Sequence, residues 1–486
     1  MKKILSLLLL TIIVFTMVIS CSDTSGGGNS SDETGGNADI VTEETTTEKV
    51  PALSTVAPVD FEGYEFKIIT QNMDNRNSDV MATEQNGATL NDLVYSRNLA
   101  VAEKFNITFV MEDTDFGTIN NKIKTNVSAG DNPYDMYLSN AMAYSLASGG
   151  YLIAINNMPY IDLTQEWWDQ NAISDMSVGG NIYMVTGDIT PNGMMTSECM
   201  LFNKKLFDAN SMEYPYQTAF DGKWTLDALN SMCSDLTMDL NGDGEIKSTD
   251  DLFSLTCWFD YSHAMLYGAG AVMVEKDADD IPYLKWDVES YVSIYDKIYN
   301  IIIGKQANFS TSDHVSSFNV FKDGRAYFCG IIFQKIDLFL RDMEDDFGVL
   351  PVPKYDEAQS RYITDVSGAG SMIVIPRSIT ADQIDMIGMV TEAMAAGAYD
   401  MITPSLYEVI VATKNVRDEE SSQIVNMIIR NRVFDIAHMC YIPVTDFVDK
   451  LLKAKSTDVV SHFASIESAS YKALDTLVTS YLENNK

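Results

Sequence analysis

Basic residues are scarce in this chain of 486 residues. Lysine and arginine together number 33 against 69 aspartates and glutamates, so the formal net charge is −36 at pH 7. A surface with this balance repels phosphate backbones and anionic lipid headgroups. The composition therefore argues against nucleic acid as a partner and against attachment to a membrane through basic residues.

Cysteine and histidine are also rare, with six and four copies. The sequence contains no Cys-x-x-Cys pair and no zinc-ligand spacing, so it predicts neither a disulfide framework nor a zinc site. It also contains no Gly-x-Ser-x-Gly or His-Glu-x-x-His motif, and its histidines are scattered at His263, His314, His438 and His462. We therefore expect a protein that is not an enzyme.

The first 21 residues have the composition of an export signal. Lys2 and Lys3 precede a mostly apolar run over residues 4–19, which is typical of a secretory signal peptide. The run ends in Val-Ile-Ser-Cys, which resembles the bacterial lipobox and implies removal of residues 1–20 and lipid modification of Cys21. A transmembrane anchor is the alternative, but the apolar run is marginally long for a span and lacks a basic flank. We expect a chain tethered by acyl chains to the outer face of the cell membrane.

Residues 21–59 have almost no apolar content before Val50 and are rich in serine, threonine, glycine and glutamate. Such a segment cannot bury enough surface to fold, so it is predicted to be a disordered tether. A tether suits a protein that must meet both a diffusing ligand and a partner in the membrane.

Strand and helix patterns alternate from Phe61 onward. Strands are predicted over residues 64–70, 107–111 and 134–138, and helices over residues 90–105 and 119–127. This order predicts a parallel sheet covered by helices. The C-terminal part is predicted to be largely helical, over residues 381–398, 419–437, 446–453 and 459–482, the last with a possible break.

Seven short segments occur in an order that we associate with one family. They are residues 101–107, 129–135, 180–183, 201–207, 223–225, 321–326 and 347–353. Together with the lipobox, they resemble the lipid-anchored solute-binding proteins of ABC importers, the maltose-binding-like group that mostly takes carbohydrates. Each segment alone is a weak signal, and the resemblance depends on their common order.

The resemblance implies an α/β, two-lobed periplasmic-binding-protein-like fold of type II, with mostly parallel sheets flanked by helices and a hinge. It places lobe 1 at residues 60–201 plus 367–404 and lobe 2 at residues 202–366 plus 405–486, with crossings near 201–203, 366–371 and 403–406. Closure of hinged lobes buries a ligand and creates a surface that a transporter reads. The implied function is capture of an extracellular sugar or oligosaccharide by a monomer that delivers it to an ABC permease.

Residues 239–250 read Asp-Leu-Asn-Gly-Asp-Gly-Glu-Ile-Lys-Ser-Thr-Asp. Oxygen ligands stand at loop positions 1, 3, 5 and 12, and glycine at position 6, which is the EF-hand pattern for calcium. The predicted ligands are Asp239, Asn241, Asp243, the carbonyl of Glu245, and Asp250 in place of the usual glutamate. The alternative is a solvated Asn-Gly turn. We predict a structural calcium ion in this loop.

Sugars pack their C–H faces on aromatic rings, while their hydroxyl groups bind amides and carboxylates. The aromatic and acidic candidates are Trp167, Trp168, Trp258, Asp260 and Tyr261. Adjacent tryptophans point in different directions, so at most one of Trp167 and Trp168 faces a ligand, and both could instead cover the core. The amide candidates are Gln71 and Asn140, which lie at predicted strand ends of the first lobe.

Two other classes of function remain open at this stage. A surface receptor for signalling would use the same fold to present a ligand to a partner. An extracellular glycoside hydrolase would need two carboxylates at a set separation, and the 69 acidic residues hide any such pair. A peptide or another small polar solute is the alternative to a sugar as the ligand.

Overall fold

The computed structural model describes residues 50–72, 76–411 and 418–484. The predicted signal peptide, Cys21 and most of the predicted tether lie outside these residues. Within them, no helix has both the length and the apolar character needed to cross a membrane.

Thirteen strands occur in the described ranges. They are β1 Tyr64–Asn72, β2 Ile107–Asp115, β3 Met136–Ser139, β4 Glu198–Asn203, β5 Phe253–Trp258, β6 Val274–Lys276, β7 Pro282–Leu284, β8 Asn308–Ser310, β9 Ala326–Ile332, β10 Phe347–Leu350, β11 Thr364–Asp365, β12 Met372–Val374 and β13 Arg432–Val433.

The same ranges hold nineteen α-helices. They are α1 Ala52–Thr55, α2 Thr89–Phe105, α3 Ile119–Ala129, α4 Tyr144–Ser148, α5 Gln170–Met176, α6 Pro191–Met195, α7 Lys204–Ala209, α8 Tyr216–Phe220, α9 Leu226–Met232, α10 Tyr261–Gly268, α11 Val288–Tyr299, α12 His314–Lys322, α13 Phe333–Leu340, α14 Ala381–Met401, α15 Thr403–Val411, α16 Glu419–Arg430, α17 Ile436–Met439, α18 Phe447–Lys453 and α19 Val459–Asn484.

The first sheet has the strand order β12-β3-β1-β2. Strand β1 pairs in parallel with β2 and β3, and β12 runs antiparallel to β3. Helices α2 and α3 connect these parallel strands, and both end at a residue in the left-handed conformation, Asn106 and Gly130, where the chain reverses. The predicted β-α-β-α-β unit is confirmed.

The second sheet has the strand order β10-β4-β9-β5-β8. Strand β5 runs parallel to β8 and β9, whereas β4 is antiparallel to both β9 and β10. The carboxyl ends of β5, β8 and β9 therefore meet the amino end of β4 at one edge. Residues Glu198 and Trp258 lie at this edge.

The chain passes between the two sheets beside a short parallel ladder. Strand β11 pairs with β13, with Thr364 opposite Arg432. Val366, the residue after β11, forms a bridge to Ser197, the residue before β4. The predicted crossing at 366–371 follows β11 and leads back to the first sheet. The predicted crossing at 201–203 lies inside β4 itself, and the one at 403–406 begins helix α15 rather than a strand.

The C-terminal part differs from the sequence prediction in one place. A single helix over 419–437 is wrong, because α16 ends at Arg430 and residues 432–433 form β13. Asp435 then starts α17 by accepting hydrogen bonds from the backbone N–H groups of Ala437 and His438. Helix α19 runs without a break.

The end of the predicted tether is folded. The backbone N–H groups of Ala52 and Leu53 in α1 each donate to the Asp400 carboxylate of α14 at 2.9 Å, and Ala52 is buried. The folded body therefore begins before Phe61, about ten residues earlier than the sequence pattern predicts.

Candidate functional site

Gln71 and Asn140 lie together at the carboxyl edge of the first sheet. Gln71 is the penultimate residue of β1 and is 1% exposed, and Asn140 follows β3 directly. The Asn140 amide donates to Gln71 Oε1 at 3.5 Å, and its oxygen accepts from the N–H of Met142 at 3.0 Å. Gln71 Nε2 is buried and has no partner among the described residues, so it remains available to a ligand.

Trp258, Asp260 and Tyr261 lie where β5 ends and α10 begins, at the corresponding edge of the second sheet. The Trp258 ring packs between Phe259 and His314, with centroid distances of 4.7 and 5.3 Å. Its indole Nε1 and the Tyr261 hydroxyl are both buried without a partner in the described part of the chain. The three predicted residues therefore lie together, and two of their polar groups can still form hydrogen bonds with a ligand.

Tyr261 owes its position to Gly330 of β9. A Cβ atom at Gly330 would lie 2.3–2.5 Å from carbon atoms of the Tyr261 ring. The ring therefore lies directly on the backbone of the sheet, where only a glycine leaves room for it.

Glu198, the first residue of β4, belongs to the same edge and was missed by sequence reasoning. It is 7% exposed, and no hydrogen bond or ion pair joins its carboxyl group to another described residue. Burial raises the pKa of Glu198 well above its ordinary value, and the negative charges of Asp260 and Asp365 raise it further. An acidic residue opening an apolar strand was the signal available in the sequence.

Two stacked histidines lie between Asp260 and the short ladder formed by β11 and β13. The His263 and His438 rings stack with centroids 5.2 Å apart, and Tyr267 stacks on the other side of His438 at 5.5 Å. His263 Nδ1 is 3.6 Å from the Asp260 carboxylate, and His438 Nδ1 donates to Asp365 Oδ1 at 3.1 Å. The histidines that look scattered in the sequence are therefore partly clustered in the fold.

The charges in this cluster determine its protonation. Burial alone would lower the pKa of His438, but the charge and hydrogen bond of Asp365, with Asp260 and Asp435 beyond, raise that pKa to about 9. Burial alone would raise the pKa of Asp260, but the His263 hydrogen bond and the charges of His263, His438 and Lys453 lower it. The cluster therefore holds an imidazolium at neutral pH.

The segment over residues 366–371 contacts a residue next to Asn140 as well as residues at the end of α17. The N–H of Ala141, next to Asn140, donates to the carbonyl of Gly368 at 3.1 Å. A Cβ atom at Gly368 would contact Ala141 on one side and Met439 and Tyr441 on the other. Tyr441 is 62% exposed and has a positive φ of 53°, which is uncommon for a tyrosine. This exposed ring beside the hinge was not predicted.

Trp167 and Trp168 lie elsewhere, in the core that covers the first sheet. Their indole N–H groups donate to the two carboxylate oxygens of Glu392 in α14, at 3.0 and 3.1 Å. Burial raises the pKa of Glu392 to about 7 despite these hydrogen bonds. Because both rings are buried and both N–H groups are used, the structure gives no support to their prediction as ligand contacts.

The loop over 239–250 is curled by its own side chains. Asp239 accepts from the N–H groups of Gly242 and Gly244, and Asp243 accepts from the N–H of Glu245. Lys247 pairs with Asp243 at 2.9 Å, and Asn241 donates its amide to Asp250 at 2.8 Å. Among the described residues, no group of three or more acidic, histidine or cysteine side chains is arranged to hold a metal ion.

The two edges provide unpaired hydrogen-bond donors and acceptors. Buried polar atoms without partners in the described ranges include the Gln71 amide nitrogen at the first edge and the Trp258 indole nitrogen and Tyr261 hydroxyl at the second, where Glu198 also lies. Leaving such a group unpaired costs about 1–3 kcal/mol, so a ligand that satisfies several of them recovers that cost on binding. The arrangement suits recognition of a small polyhydroxylated molecule.

The family model described as bacterial extracellular solute-binding protein matches residues 82–380. This match covers more than half of the chain, so the chain belongs to that family. No curated protein sequence matches it significantly.

Solved structures of binding proteins share its fold. UgpB from Mycobacterium tuberculosis, in complex with glycerophosphocholine, is 13% identical with a TM-score of 0.57, over 85% of this chain and 98% of that chain. The cyclic alpha-maltosyl-1,6-maltose binding protein from Arthrobacter globiformis is 11% identical with a TM-score of 0.56, over 85% and 99%. A cyclo/maltodextrin-binding protein complexed with maltotetraose is 14% identical with a TM-score of 0.54, over 87% and 98%. The predicted two-lobed type II α/β fold is confirmed.

The charge of His438 makes stability depend on pH. A pKa raised from about 6.5 to about 9 stabilises the fold fully below pH 6.5, and this contribution is lost as pH rises through 9. Between pH 6.5 and 9, the free energy of unfolding measured in urea should fall by about 2 kcal/mol more in the wild type than in His438→Gln. His462→Gln on α19 should keep the loss of stability up to pH 9, because burial lowers the pKa of His462 and its charge does not stabilise the fold. Equal slopes for wild type and His438→Gln would show that His438 is neutral in the folded protein.

Gly330→Ala should displace the Tyr261 ring and lower the free energy of unfolding by about 1–3 kcal/mol. Gly304→Ala is the matched control, because a Cβ there meets only Asn300 atoms at 3.8 Å or more. Urea unfolding of both variants measures the difference. If Gly330→Ala is as stable as Gly304→Ala, the ring does not lie on the sheet.

Proposed function

We propose that this protein is the substrate-binding lipoprotein of an ABC importer that captures a sugar or oligosaccharide outside the cell. The proposal rests chiefly on the unpaired polar groups at the edges of the two sheets, Gln71 on the first and Trp258 and Tyr261 on the second, where Glu198 also lies. Membership of the extracellular solute-binding family supports it. Two of the structural neighbours bind maltose-based oligosaccharides, which supports a sugar as the ligand class.

In this proposal Cys21 carries the lipid anchor and the chain acts as a monomer on the outer face of the cell membrane. The ligand binds between the lobes, and the hinge at Gly368 allows the Gln71–Asn140 edge to approach the Trp258–Asp260 edge. Closure then presents both lobes to the permease subunits. The ligand leaves the site chemically unchanged.

The test is a thermal-shift screen of the full-length chain against a sugar library, followed by calorimetry with each sugar that raises the melting temperature. Trp258→Ala and Gln71→Ala should each weaken binding of such a sugar at least tenfold. Trp286→Ala, which removes an aromatic contact to Phe463 and Tyr471 in the second lobe, is the control and should bind normally. Hydrolysis of the sugar, or equal binding by all three variants, would contradict the proposal.

We further propose that the 239–250 loop binds calcium as a structural ion. Its donors are all oxygens, which suits a hard cation, and Gly242 and Gly244 allow the tight curl with φ of 75° and 85°. The ligands would be Asp239, Asn241, Asp243, the Glu245 carbonyl and Asp250. Binding requires Lys247 to leave Asp243 and the Asn241 amide to turn its oxygen inward.

Calcium should raise the melting temperature of the full-length chain, because an ion that binds only the folded state stabilises it by about 2.7 kcal/mol at a hundredfold excess over Kd. Asp243→Asn keeps the acceptor for the Glu245 N–H but removes the charge, and should abolish the shift. Glu245→Ala should keep the shift, since only the backbone carbonyl of that residue would bind. Melting in millimolar calcium against a chelator decides, and an unchanged melting temperature would exclude the site.

A further inference from the structure

We propose that the solute bound between the lobes carries a cationic nitrogen, and that Glu198 is the residue that selects it. This inference rests on the proposed function and narrows the ligand from sugars in general to an amine-bearing sugar. It is drawn from the side chains at the amino end of β4 and from the charges around them.

The first observation is the isolation of the Glu198 carboxyl group. The side chain is more than nine-tenths buried, yet no hydrogen bond or ion pair reaches it from any residue in the described ranges. Burial of an unpaired carboxyl group is costly. The Tyr261 hydroxyl and the Trp258 indole N–H at the same edge also lack partners in the described ranges, so several polar groups of this edge are unpaired.

The second observation is the sign of the surrounding charge. Several charged and titratable groups act on Glu198 or on its neighbour Asp260. They are Asp260, Tyr261 and His263 around α10, Asp365 of β11, His438 of α17, Tyr441, Lys453 of α18, Cys199 of β4 and Cys257 of β5. His438 already pairs with Asp365 and Lys453 with Asp449, and His263 lies against Asp260. The cations present are therefore committed to other carboxylates, and the place beside Glu198 favours an additional positive charge.

The third observation is aromatic. Tyr441 exposes most of its ring beside the hinge and lies close enough to sense the charge of Asp260. The Trp258 ring stands at the same edge of the sheet. Carboxylates and aromatic rings together bind ammonium groups, through an ion pair and cation–π contacts, and at this edge Tyr261 interacts with the charge of Glu198 and Tyr441 with that of Asp260.

Protonation gives the inference a separate signature. Burial and the nearby negative charges of Asp260 and Asp365 raise the pKa of Glu198 and so favour its protonated form in the free protein. A cation bound beside it stabilises the carboxylate form, so binding releases a proton to solvent. A neutral sugar at the same position leaves the proton in place.

The experiment compares two disaccharides with the same β-1,4 linkage, cellobiose and the glucosamine disaccharide, which differ by a hydroxyl and an amino group on each ring. Calorimetry on the full-length chain at low salt, in two buffers of different ionisation enthalpy, gives both affinity and proton release. Choline is the third probe and separates a quaternary ammonium source from an amino sugar. Glu198→Gln is the test variant, and Glu275→Gln, a surface change where the carboxylate pairs with Lys285, is the control.

We expect the wild type and Glu275→Gln to bind the amino disaccharide at least tenfold more tightly than cellobiose, with proton release. Glu198→Gln should bind the two within twofold, without proton release, and should melt no lower than the wild type. A wild-type preference for cellobiose, or an amine preference that survives in Glu198→Gln, overturns the inference and leaves a sugar-binding function intact. If neither disaccharide binds, choline binding that is lost in Glu198→Gln still supports the cationic site, and absence of choline binding overturns it.

Discussion

The short ladder between β11 and β13 determines which charged groups meet in this protein. It pairs Asp365 with Val433, and the bridge from Val366 to Ser197 places Glu198 beside it. Two residues beyond β13, Asp435 starts α17 and so carries His438 to Asp365. Segments far apart in the chain thus converge through a few backbone hydrogen bonds. The pairing of β11 with β13 therefore brings Asp365, Glu198 and Asp435 into one cluster.

The parts of the fold that depend on local patterns were predictable. Strand β1 alternates and then becomes apolar, α2 has a helical spacing of buried residues, and both were located to within two residues. Strand β13 was not predictable, because Arg432 and Val433 lie in a sequence that reads as helix. They leave the helix because β11, about seventy residues away, supplies their partner. Long-range pairing of this kind has no signature in a window of sequence.

The candidate site shows the same division. Gln71 and Trp258 lie at the ends of parallel strands and Asn140 directly follows one, so the rule for parallel sheets predicts their position at these edges. Glu198 begins an antiparallel strand, and this rule does not extend to the amino end of a strand that runs the other way. For Trp167 and Trp168, composition suggests a sugar platform, whereas in the structure Glu392 accepts from both indole N–H groups. Whether an aromatic ring faces a ligand depends on its buried partners, which the sequence does not display.

In a protein with a net charge of −36, acidic residues far outnumber basic ones, so few buried carboxylates can have a cationic partner. In the cluster beside the hinge, His438 neutralises Asp365 from within, and its raised pKa shows that the surrounding carboxylates hold its proton. Glu198 is left without such a partner. A closing lobe cannot bury an unpaired carboxylate cheaply, because water is expelled as the lobes approach. In the proposed closure, either a proton or the charge of the solute compensates the Glu198 carboxylate.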